Sequence, residues 1–400
     1  MRLVERHLYK PTHKDYKELD NLCFMSKNLY NATLYAIRQH FFTTGKYLNY
    51  NAVNKTFTVL NQPDYRALPA KVSKHTQMLV DKNMKSFFQL KKKDSKAKVP
   101  KYLDKAKGRQ VVHYEKGALS FAKKEGYINL SKTNIYIKTR QVKEDVEFVR
   151  VVPKGNHIAI EVGYSKEIKQ IKPNIRYASI DLGVNNLMVV ASNVMNPLIV
   201  NGKPVKSVNQ YYNKKLAKLQ SDLELRHNKY QSEKTKKLTF KRENKLNDYL
   251  HKATAYVVNQ LVSNDISLLV IGYNKGWKQD ITLGKKTNQK FTQIPFLKLV
   301  KMLKYKCELQ GIQVVIQEES YTSKCSFLDN EPITKHKEYL GKRVKRGLFR
   351  SSKGIQINAD LNGSLNILKK YLLTKEAWNE SIFSDCVEVC SRPNLQRISF

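Results

Sequence analysis

Apolar residues in the first hundred positions follow helical spacing after one short strand. Residues 2–9 form a predicted strand, and residues 14–45 and 72–93 form predicted helices. The first helix carries a stripe made of Leu19, Leu22, Cys23, Leu29, Tyr30, Leu34 and Ile37. The second carries one made of Leu79, Val80, Met84, Phe87 and Phe88. The N-terminal part is therefore predicted to be mainly helical.

The pattern changes at residue 109, where short apolar runs are separated by turn residues. These runs lie at Gln110–His113, Ile128–Leu130, Ile135–Ile137, Val146–Val152 and His157–Val162. Short runs bounded by turns predict strands, and together they indicate a small β-barrel or sheet. The following Lys-Pro-Asn segment, residues 172–174, has the composition of a linker.

From residue 176 onward, predicted strands and helices alternate, which is typical of an α/β domain. The predicted strands are Tyr177–Asp181, Leu187–Ser192, Pro197–Asn201, Ser267–Ile271 and Val314–Glu319. Helices are predicted at 208–263 and 295–310, and a last helix begins near Asp360. Between the last strand and that helix, residues 324–356 form a predicted polar, basic loop.

The high positive charge indicates which class of molecule the protein binds. Lys and Arg number 73 and Asp and Glu number 34, so the formal net charge is +39, and it is spread along the whole chain. Cations placed on phosphates release condensed counterions, so nucleic acid is the natural partner. A structural RNA-binding protein of the ribosomal kind and a protein bound to an anionic membrane surface are the alternatives.

Cysteine content and hydropathy indicate the compartment. The five cysteines form no disulfide framework, which favours a reducing environment. The N-terminus lacks the apolar core of a signal peptide, and no run approaches the roughly 20 apolar residues that span a membrane. We expect a cytoplasmic prokaryotic protein associated with the nucleoid; the sequence leaves the oligomeric state open, with a monomer favoured.

Three acidic residues at the ends of predicted elements carry the candidate chemistry. Asp181 ends one strand, Glu319 ends another with Glu318 beside it, and Asp360 lies at the start of the last helix. Hydrolysis of a phosphodiester can use two divalent ions about 3.5–4 Å apart, and Mg²⁺ prefers carboxylate oxygens. Taken singly, each acid has a structural explanation: a strand-end aspartate is usually a turn residue, and Asp360 could cap its helix.

The acids lie within motifs that resemble a known family. The segment Ser179-Ile-Asp-Leu-Gly-Val184 resembles the first motif of RuvC-type, ribonuclease-H-like nuclease domains. The segment Tyr321-Thr-Ser-Lys324 resembles the Tyr-Thr-Ser segment of TnpB proteins and their Fanzor relatives, and residues 358–367 resemble their closing motif. The resemblance is good over 176–370 and looser in the N-terminal half.

The resemblance implies a fold and an activity. It implies a β-barrel wedge domain formed by residues 1–10 and 109–172, and a helical recognition domain at 11–108. Residues 176–400 would form the RuvC-like α/β nuclease domain with helical insertions, and the basic loop 324–356 would be inserted in it. TnpB proteins use a transposon-derived guide RNA, recognise a short motif beside the target, and cut DNA with Mg²⁺; Asp181 and Asp360 would be metal ligands.

The chain departs from the family pattern at the third acid. The usual glutamate would follow the strand at 267–271, where this chain has Gly272. Fanzors and some TnpB proteins carry the glutamate instead on the neighbouring strand, before Tyr-Thr-Ser, and Glu319 occupies that place. We therefore expect Glu319 to be the third ligand of two Mg²⁺ ions, with Glu318 as the alternative, since adjacent strand residues face opposite ways.

A second departure concerns zinc. The family usually carries a four-cysteine zinc site after Tyr-Thr-Ser, but here only Cys325 is near, and Cys386 and Cys390 lie far along the chain. A structural zinc needs four ligands, so we expect none. The loop 324–356 is then a zinc-free basic loop that either holds nucleic acid or is simply solvated.

The helix at 72–93 resembles the family's recognition helix that approaches target DNA. We expect Thr76 and Gln77 to read base edges, since glutamine can pair with adenine. Lys91, Lys92 and Lys93 at its C-terminal end would grip phosphates. Sequence would be read mainly by guide pairing, with the protein holding the heteroduplex by its shape.

The leading hypothesis is an RNA-guided DNA endonuclease, a metal-dependent phosphodiester hydrolase. Its partners would be guide RNA and double-stranded target DNA. The rival is a nuclease-inactive relative that binds DNA through a guide and represses transcription. A transposase of the joining type is less favoured, because no tyrosine nucleophile with a metal-binding histidine pair is evident.

Overall fold

The computed structural model describes residues 1–121, 125–227, 230–274, 276, 284–383 and 396–400. It divides into two compact units, Met1–Lys166 and Glu167–Phe400. Each unit has its own apolar core. No helix in these ranges combines the length and apolar character needed to span a membrane.

The first unit combines helices with antiparallel sheets. Its helices are α1 (Tyr16–Thr44), α2 (Tyr50–Val59), α3 (Pro63–Arg66) and α4 (Ala70–Lys93). Its strands are β1 (Arg2–Tyr9), β2 (Val112–Glu115), β3 (Leu119–Ser120), β4 (Tyr127–Leu130), β5 (Tyr136–Lys138), β6 (Val146–Pro153) and β7 (Ile158–Ser165). The sheets have the orders β1-β7-β6-β2 and β3-β4-β5.

The two long helices and the strands of this unit are confirmed, while α2 and α3 were not predicted. The long helices bury an apolar stripe, and α1 ends at Gly45, whose φ of 68° is the left-handed conformation that glycine adopts at low cost. In α2 only Val53 and Phe57 are buried, which is too short a period to recognise in sequence. The division into wedge and recognition domains stays a prediction.

The second unit is built on a mixed six-stranded sheet. Its strands are β8 (Tyr177–Leu182), β9 (Asn186–Ser192), β10 (Leu198–Asn201), β11 (Leu268–Gly272), β12 (Gln313–Gln317), β13 (Lys342–Lys345), β14 (Leu348–Arg350), β15 (Gln356–Asn358) and β16 (Gln396–Ile398). Its helices are α5 (Lys203–His227), α6 (Glu233–Ser263), α7 (Lys285–Thr292), α8 (Phe296–Leu309) and α9 (Ala359–Leu373). The main sheet has the order β12-β11-β8-β9-β10-β16.

The strand directions explain why acids from distant segments can meet. Strands β8, β11 and β12 are mutually parallel, whereas β9 is antiparallel to β8. Parallel neighbours place their carboxyl ends at one edge of the sheet, which is where ligands bind in open α/β sheets. Helix α9 packs on this sheet and is buried from Leu361 to Lys369. The predicted α/β character of this part is confirmed.

Three expectations for this unit need correction. The helical stretch 208–263 is two helices, and α6 begins with a capping box formed by Ser232 and Thr235. The strand predicted to reach Glu319 stops at Gln317, so both glutamates lie in the turn after β12. The region 324–356 is not simply a loop, because β13 and β14 form a hairpin there that pairs with β15.

Candidate metal centre

The ends of β8 and β11 form the base of the site. Ile180 pairs with Ile271 in parallel register, so the next residues, Asp181 and Gly272, lie side by side where these adjacent strands end: Gly272 is the last residue of β11 and Asp181 the last but one of β8. Gly272 pairs with Gln317 on β12. Three strand ends therefore converge at one edge of the sheet.

Glu319 reaches back over this edge from the turn after β12. Its backbone N–H donates to Asn274 Oδ1 at 3.1 Å, which fixes the turn. A Cβ atom placed on Gly272 would lie 2.8 Å from Glu319 Oε2. The carboxylate thus occupies space that any side chain at position 272 would enter, and position 272 is where the family glutamate was expected.

The neighbouring Glu318 points elsewhere. Its Oε2 accepts from Lys370 Nζ at 2.6 Å, and its Oε1 accepts from the backbone N–H of Ser320 at 2.8 Å. Of the two adjacent glutamates, only Glu319 is directed toward the strand ends. Between the two alternatives, this geometry favours Glu319.

Helix α9 brings the third acid. Its N-cap is Asn358, whose side chain accepts from the backbone N–H groups of Asp360 and Leu361, so Asp360 is not the cap and its carboxylate is left for other contacts. One turn later, a Cβ atom on Gly363 would lie 3.0 Å from Asp181 Oδ2. The absence of a side chain at Gly363 lets α9 approach Asp181 this closely.

Two side chains hold Asp360. Asn186 Nδ2 donates to its Oδ2 at 2.7 Å, and an Arg343 guanidinium nitrogen lies 3.3 Å from its Oδ1. Arg397 in turn donates to Asn186 Oδ1 at 3.1 Å. Sequence reasoning did not identify Asn186 or Arg397, and neither lies in a segment whose pattern would have singled it out.

Electrostatics show that negative charge is concentrated here. The pKa of Asp181 is raised well above its ordinary value, first by burial and then by the charges of Glu319 and Asp360, against a smaller opposing effect of Arg343. Burial, with the charge of Glu318, raises the pKa of Glu319 to about 7. Crowded carboxylates raise one another's pKa in this way when too little positive charge balances them.

Three hard carboxylates on a sheet edge are a donor set that suits Mg²⁺. Within the described ranges, no three acidic, histidine or cysteine side chains are already drawn together as a formed metal site. Arg343 and Asn186 occupy both oxygens of Asp360. Binding of divalent ions would therefore require small side-chain rearrangements around these acids.

A basic cavity of about 380 Å³ adjoins Asp360. Its cations come from three parts of the chain: Lys203 at the start of α5, Arg343 and Arg346 in the hairpin β13–β14, and Arg397 in β16. Such a set can hold the phosphates of a nucleic acid strand beside the acids. The sequence pattern indicated the two arginines of the hairpin region but not Lys203 or Arg397.

The two residues expected to read bases lie on the face of α4 that packs against α1 and α2. Thr76 and Gln77 are buried, with exposures of 3% and 0%, although Thr76 lines a groove along the helix. Thr76 Oγ1 donates to the carbonyl of Val72, and Gln77 Oε1 accepts from Asn54 Nδ2 at 2.8 Å. Burial argues against base reading by these two residues, and their role stays a prediction.

The lysines of α4 are placed differently. Lys91, Lys92 and Lys93 form the exposed last turn of the helix, as their predicted phosphate contacts require. A groove of about 1100 Å³ runs along the same helix and is lined by Lys82, Lys85, Lys93 and Arg150. Phosphate binding by the terminal lysines stays a prediction.

The segment after Tyr-Thr-Ser, where we expect no zinc, is held in place by hydrogen bonds. Buried Glu331 accepts from the backbone N–H groups of Ser326 at 2.6 Å and Leu340 at 3.0 Å. The side chain of Asn362 donates to the carbonyl of Cys325 at 2.8 Å. Cys386 and Cys390 lie outside the described residues, so the expectation about zinc stays a prediction.

Two family models match the chain. Residues 157–278 match OrfB_IS605, described as a probable transposase, and residues 296–367 match the Cas12f1-like TNB domain. Together they include the segments that contribute all three acids.

Known proteins are similar over most of the chain. The TnpB-like protein ORF457 of Acidianus two-tailed virus is 26% identical over 88% of this chain and 83% of its own length. The CRISPR-associated endodeoxyribonuclease Cas12f2 of a Micrarchaeota archaeon is 25% identical over 66% of this chain and 48% of its own length. A solved complex of Cas12f1 with sgRNA and target DNA aligns over 91% of this chain and 98% of its own, with 16% identity and a TM-score of 0.36.

These family and sequence matches agree with the motifs around Asp181, Tyr321 and Asp360. The expected resemblance to TnpB proteins is confirmed by these matches.

Proposed function

We propose that this protein is an RNA-guided DNA endonuclease that uses a transposon-derived guide RNA. It cuts target DNA next to a short adjacent motif, by Mg²⁺-dependent hydrolysis of the phosphodiester. The observation that supports the proposal is that Glu319 and Asp360, from two distant segments, lie near enough to buried Asp181 at one edge of the sheet for their charges to raise its pKa.

The names of the relatives support the choice of substrate and guide. One is an endodeoxyribonuclease associated with CRISPR, and another was solved with an sgRNA and target DNA. The formal net charge of +39 suits a protein that holds a large amount of nucleic acid. The charge alone would suit a structural RNA-binding protein equally well, but such a protein has no use for three crowded carboxylates.

Each side chain at the centre has a role in the proposed reaction. Asp181, Glu319 and Asp360 would hold two Mg²⁺ ions, which supply an activated water and stabilise charge on the attacking and leaving oxygens. Asn186 keeps the carboxylate of Asp360 oriented through its 2.7 Å hydrogen bond. Arg343, which contacts Asp360 here, would bind a phosphate of the strand beside the acids.

A nuclease-inactive, RNA-guided repressor is the second candidate. It is favoured by Gly272 at the usual position of the family glutamate, and by the contacts of Asp360 with Arg343 and Asn186. The position of Glu319 over Gly272 favours the active enzyme instead, because it restores an acid at the place where one is missing.

The two candidates separate in a cutting assay. The protein is purified with its bound RNA, the RNA is sequenced, and a plasmid library carrying matching targets with random flanks is incubated with Mg²⁺ or EDTA. We expect guide-dependent cutting that EDTA abolishes and that depends on one flanking motif. Guide-dependent binding without cutting, in the presence of Mg²⁺, would identify the repressor.

A further inference from the structure

Helices α5 and α6 enclose a cleft about 240 Å³ in volume, which we call the α5–α6 cleft. It is lined by Ser207, Tyr211 and Tyr212 of α5 and by Lys241, Arg242 and Lys245 of α6. Pockets that enclose small molecules usually measure about 300–1,000 Å³. The cleft is therefore too small to enclose a metabolite, but it can receive one part of a longer ligand.

The two tyrosines in the cleft differ in how firmly neighbouring residues hold their side chains. Tyr212 is held, since its hydroxyl shares a 3.1 Å hydrogen bond with Thr239 and Arg242 lies 4.8 Å from its ring centroid. Tyr211 is 58% exposed, and the nearest cation, Lys215 Nζ, is 6.0 Å from its ring centroid. An exposed ring beside cations is the arrangement on which nucleic acid bases stack.

The cations of the cleft lack acidic partners in the described part of the chain. Lys241 and Lys245 lie one helical turn apart, and no ion pair involves either of them there. Elsewhere on the same helix, Lys236 pairs with Glu233 and Lys252 pairs with Asp248, each at 2.8 Å. Unpaired positive charge therefore lines the cleft, and it continues toward the start of α6 at Lys234 and Lys237, which also form no ion pair among the described residues.

The cleft is connected to the acidic centre by one face of α5. Lys203, Ser207, Tyr211 and Lys215 are spaced four residues apart, so they form an exposed stripe along the helix. Lys203 lines the basic cavity beside Asp360. At 1.5 Å per residue, Tyr211 lies about 12 Å further along α5. Residues 203–221 contain no Asp or Glu, so a polyanion could follow this stripe without repulsion.

We propose that the α5–α6 cleft binds an unpaired segment of the DNA strand that is being cut. One base stacks on Tyr211, the flanking phosphates lie on Lys241 and Lys245, and the strand continues past Lys203 to the acids. The inference rests on the proposed nuclease function and adds a binding site about 12 Å along α5 from Lys203.

Binding of single-stranded DNA tests the cleft without any cutting. A fluorescein-labelled oligothymidylate is titrated with the full protein and its bound RNA, in EDTA, at several salt concentrations. Tyr211→Ala should weaken binding by about 5-fold or more, because stacking of one base contributes about 1–3 kcal/mol. Its matched control is Tyr230→Ala, since Tyr230 is equally exposed at 58% but donates to Glu224.

Replacing Lys241 and Lys245 should change the salt dependence of DNA binding. Each phosphate contact on a single strand contributes about 0.7 to the slope of log K against log salt, so Lys241→Ala with Lys245→Ala should lower that slope by about 1.4. Tyr211→Ala should leave the slope unchanged. The control pair Lys236→Ala with Lys252→Ala should change it much less. Equal losses in the cleft variants and their controls would overturn the proposal.

Photocrosslinking distinguishes the DNA strand from the guide RNA. Target DNA carrying bromodeoxyuridine in the cut strand, and separately guide RNA carrying bromouridine, is irradiated in the complete complex, and the crosslinked peptide is identified by mass spectrometry. We expect the DNA to crosslink to Tyr211. Crosslinking of Tyr211 by RNA alone, or by neither, would refute the assignment. Either result would leave the cutting assay, and thus the proposed nuclease function, untouched.

Discussion

Asp181 and Gln77 are both polar residues that sequence patterns single out for binding, but in the folded protein their side chains have opposite surroundings. Gln77 is fully buried on α4 and its oxygen accepts from Asn54 at 2.8 Å. Burial, and then the charges of Glu319 and Asp360, raise the pKa of Asp181. The hydrogen bond accepted by Gln77 stabilises the folded chain, although its buried Nε2 has no partner among the described residues, whereas the crowding of carboxylates around Asp181 destabilises the chain at neutral pH.

The difference separates structural from functional polar residues. A buried polar group that finds a partner within its own chain restores what burial removes. Carboxylates that lie close together without enough positive charge beside them repel one another and have raised pKa values. Raised pKa values of this kind are typical of functional sites, including sites that bind cations. The four predictions below test this contrast, from the largest expected effect to the smallest.

Removing one central carboxylate should abolish cutting. We expect Asp181→Asn to lower the cutting rate by at least about 10³-fold, the loss seen when a group that stabilises transition-state charge is removed. In EDTA its melting temperature should not fall, because the repulsion is relieved. Rates come from plasmid cleavage, with Glu318→Gln as the matched control, since Glu318 pairs with Lys370 instead. Full cutting by Asp181→Asn would contradict the assignment.

Adding a single methyl group at Gly272 should displace Glu319. We expect Gly272→Ala to lower cutting about 10²-fold, because a misplacement of about 1 Å at a catalytic group has that effect. A Cβ atom there also meets Ile367. The double variant Gly272→Ala with Ile367→Val relieves that second contact, so it should remain as slow if Glu319 is the sensitive group. Recovery of cutting in the double variant would assign the effect to core packing.

Truncating Gln77 should affect stability and leave recognition unchanged. Gln77→Ala removes the acceptor for Asn54 and should lower the free energy of unfolding by about 1–3 kcal/mol. Thermal melting of the full chain measures this loss. The preferred motif beside the target, determined with the plasmid library, should be the same as in the wild type. A changed motif would restore the base-reading role that burial argues against.

Acid should destabilise the first unit partly through His113. Burial, with the charges of His75 and Arg150, lowers the pKa of His113 to about 4. Its neutral form therefore contributes stability above its ordinary pKa of 6.5, and this contribution is lost as the pH falls toward 4. His113→Gln should lose less stability than the wild type between pH 7 and pH 5, by on the order of 1 kcal/mol after allowance for solvent screening. If the melting temperatures of the wild type and of His113→Gln depend on pH in the same way, His113 does not have this effect.

Patterns that repeat along the chain were enough to predict much of the fold. The period of apolar residues located α1, α4, the four-stranded sheet of the first unit and β8 to β12 of the second, because each of these elements buries apolar residues in a regular pattern. Short elements with two or three buried residues, such as α2, were not recognised. The hairpin β13–β14 was also missed, since its strands are largely exposed and basic.

The sequence by itself determined the high positive charge and the order of the main elements, and it singled out the three candidate acids, since these depend on residue type and local spacing alone. Only the tertiary structure decided which of two adjacent glutamates faces the centre, and that Thr76 and Gln77 face the core. It also brought Lys203, Asn186 and Arg397 to Asp360. The direction of a side chain near the end of an element depends on contacts between residues far apart in the chain, and local periodicity carries no information about those contacts.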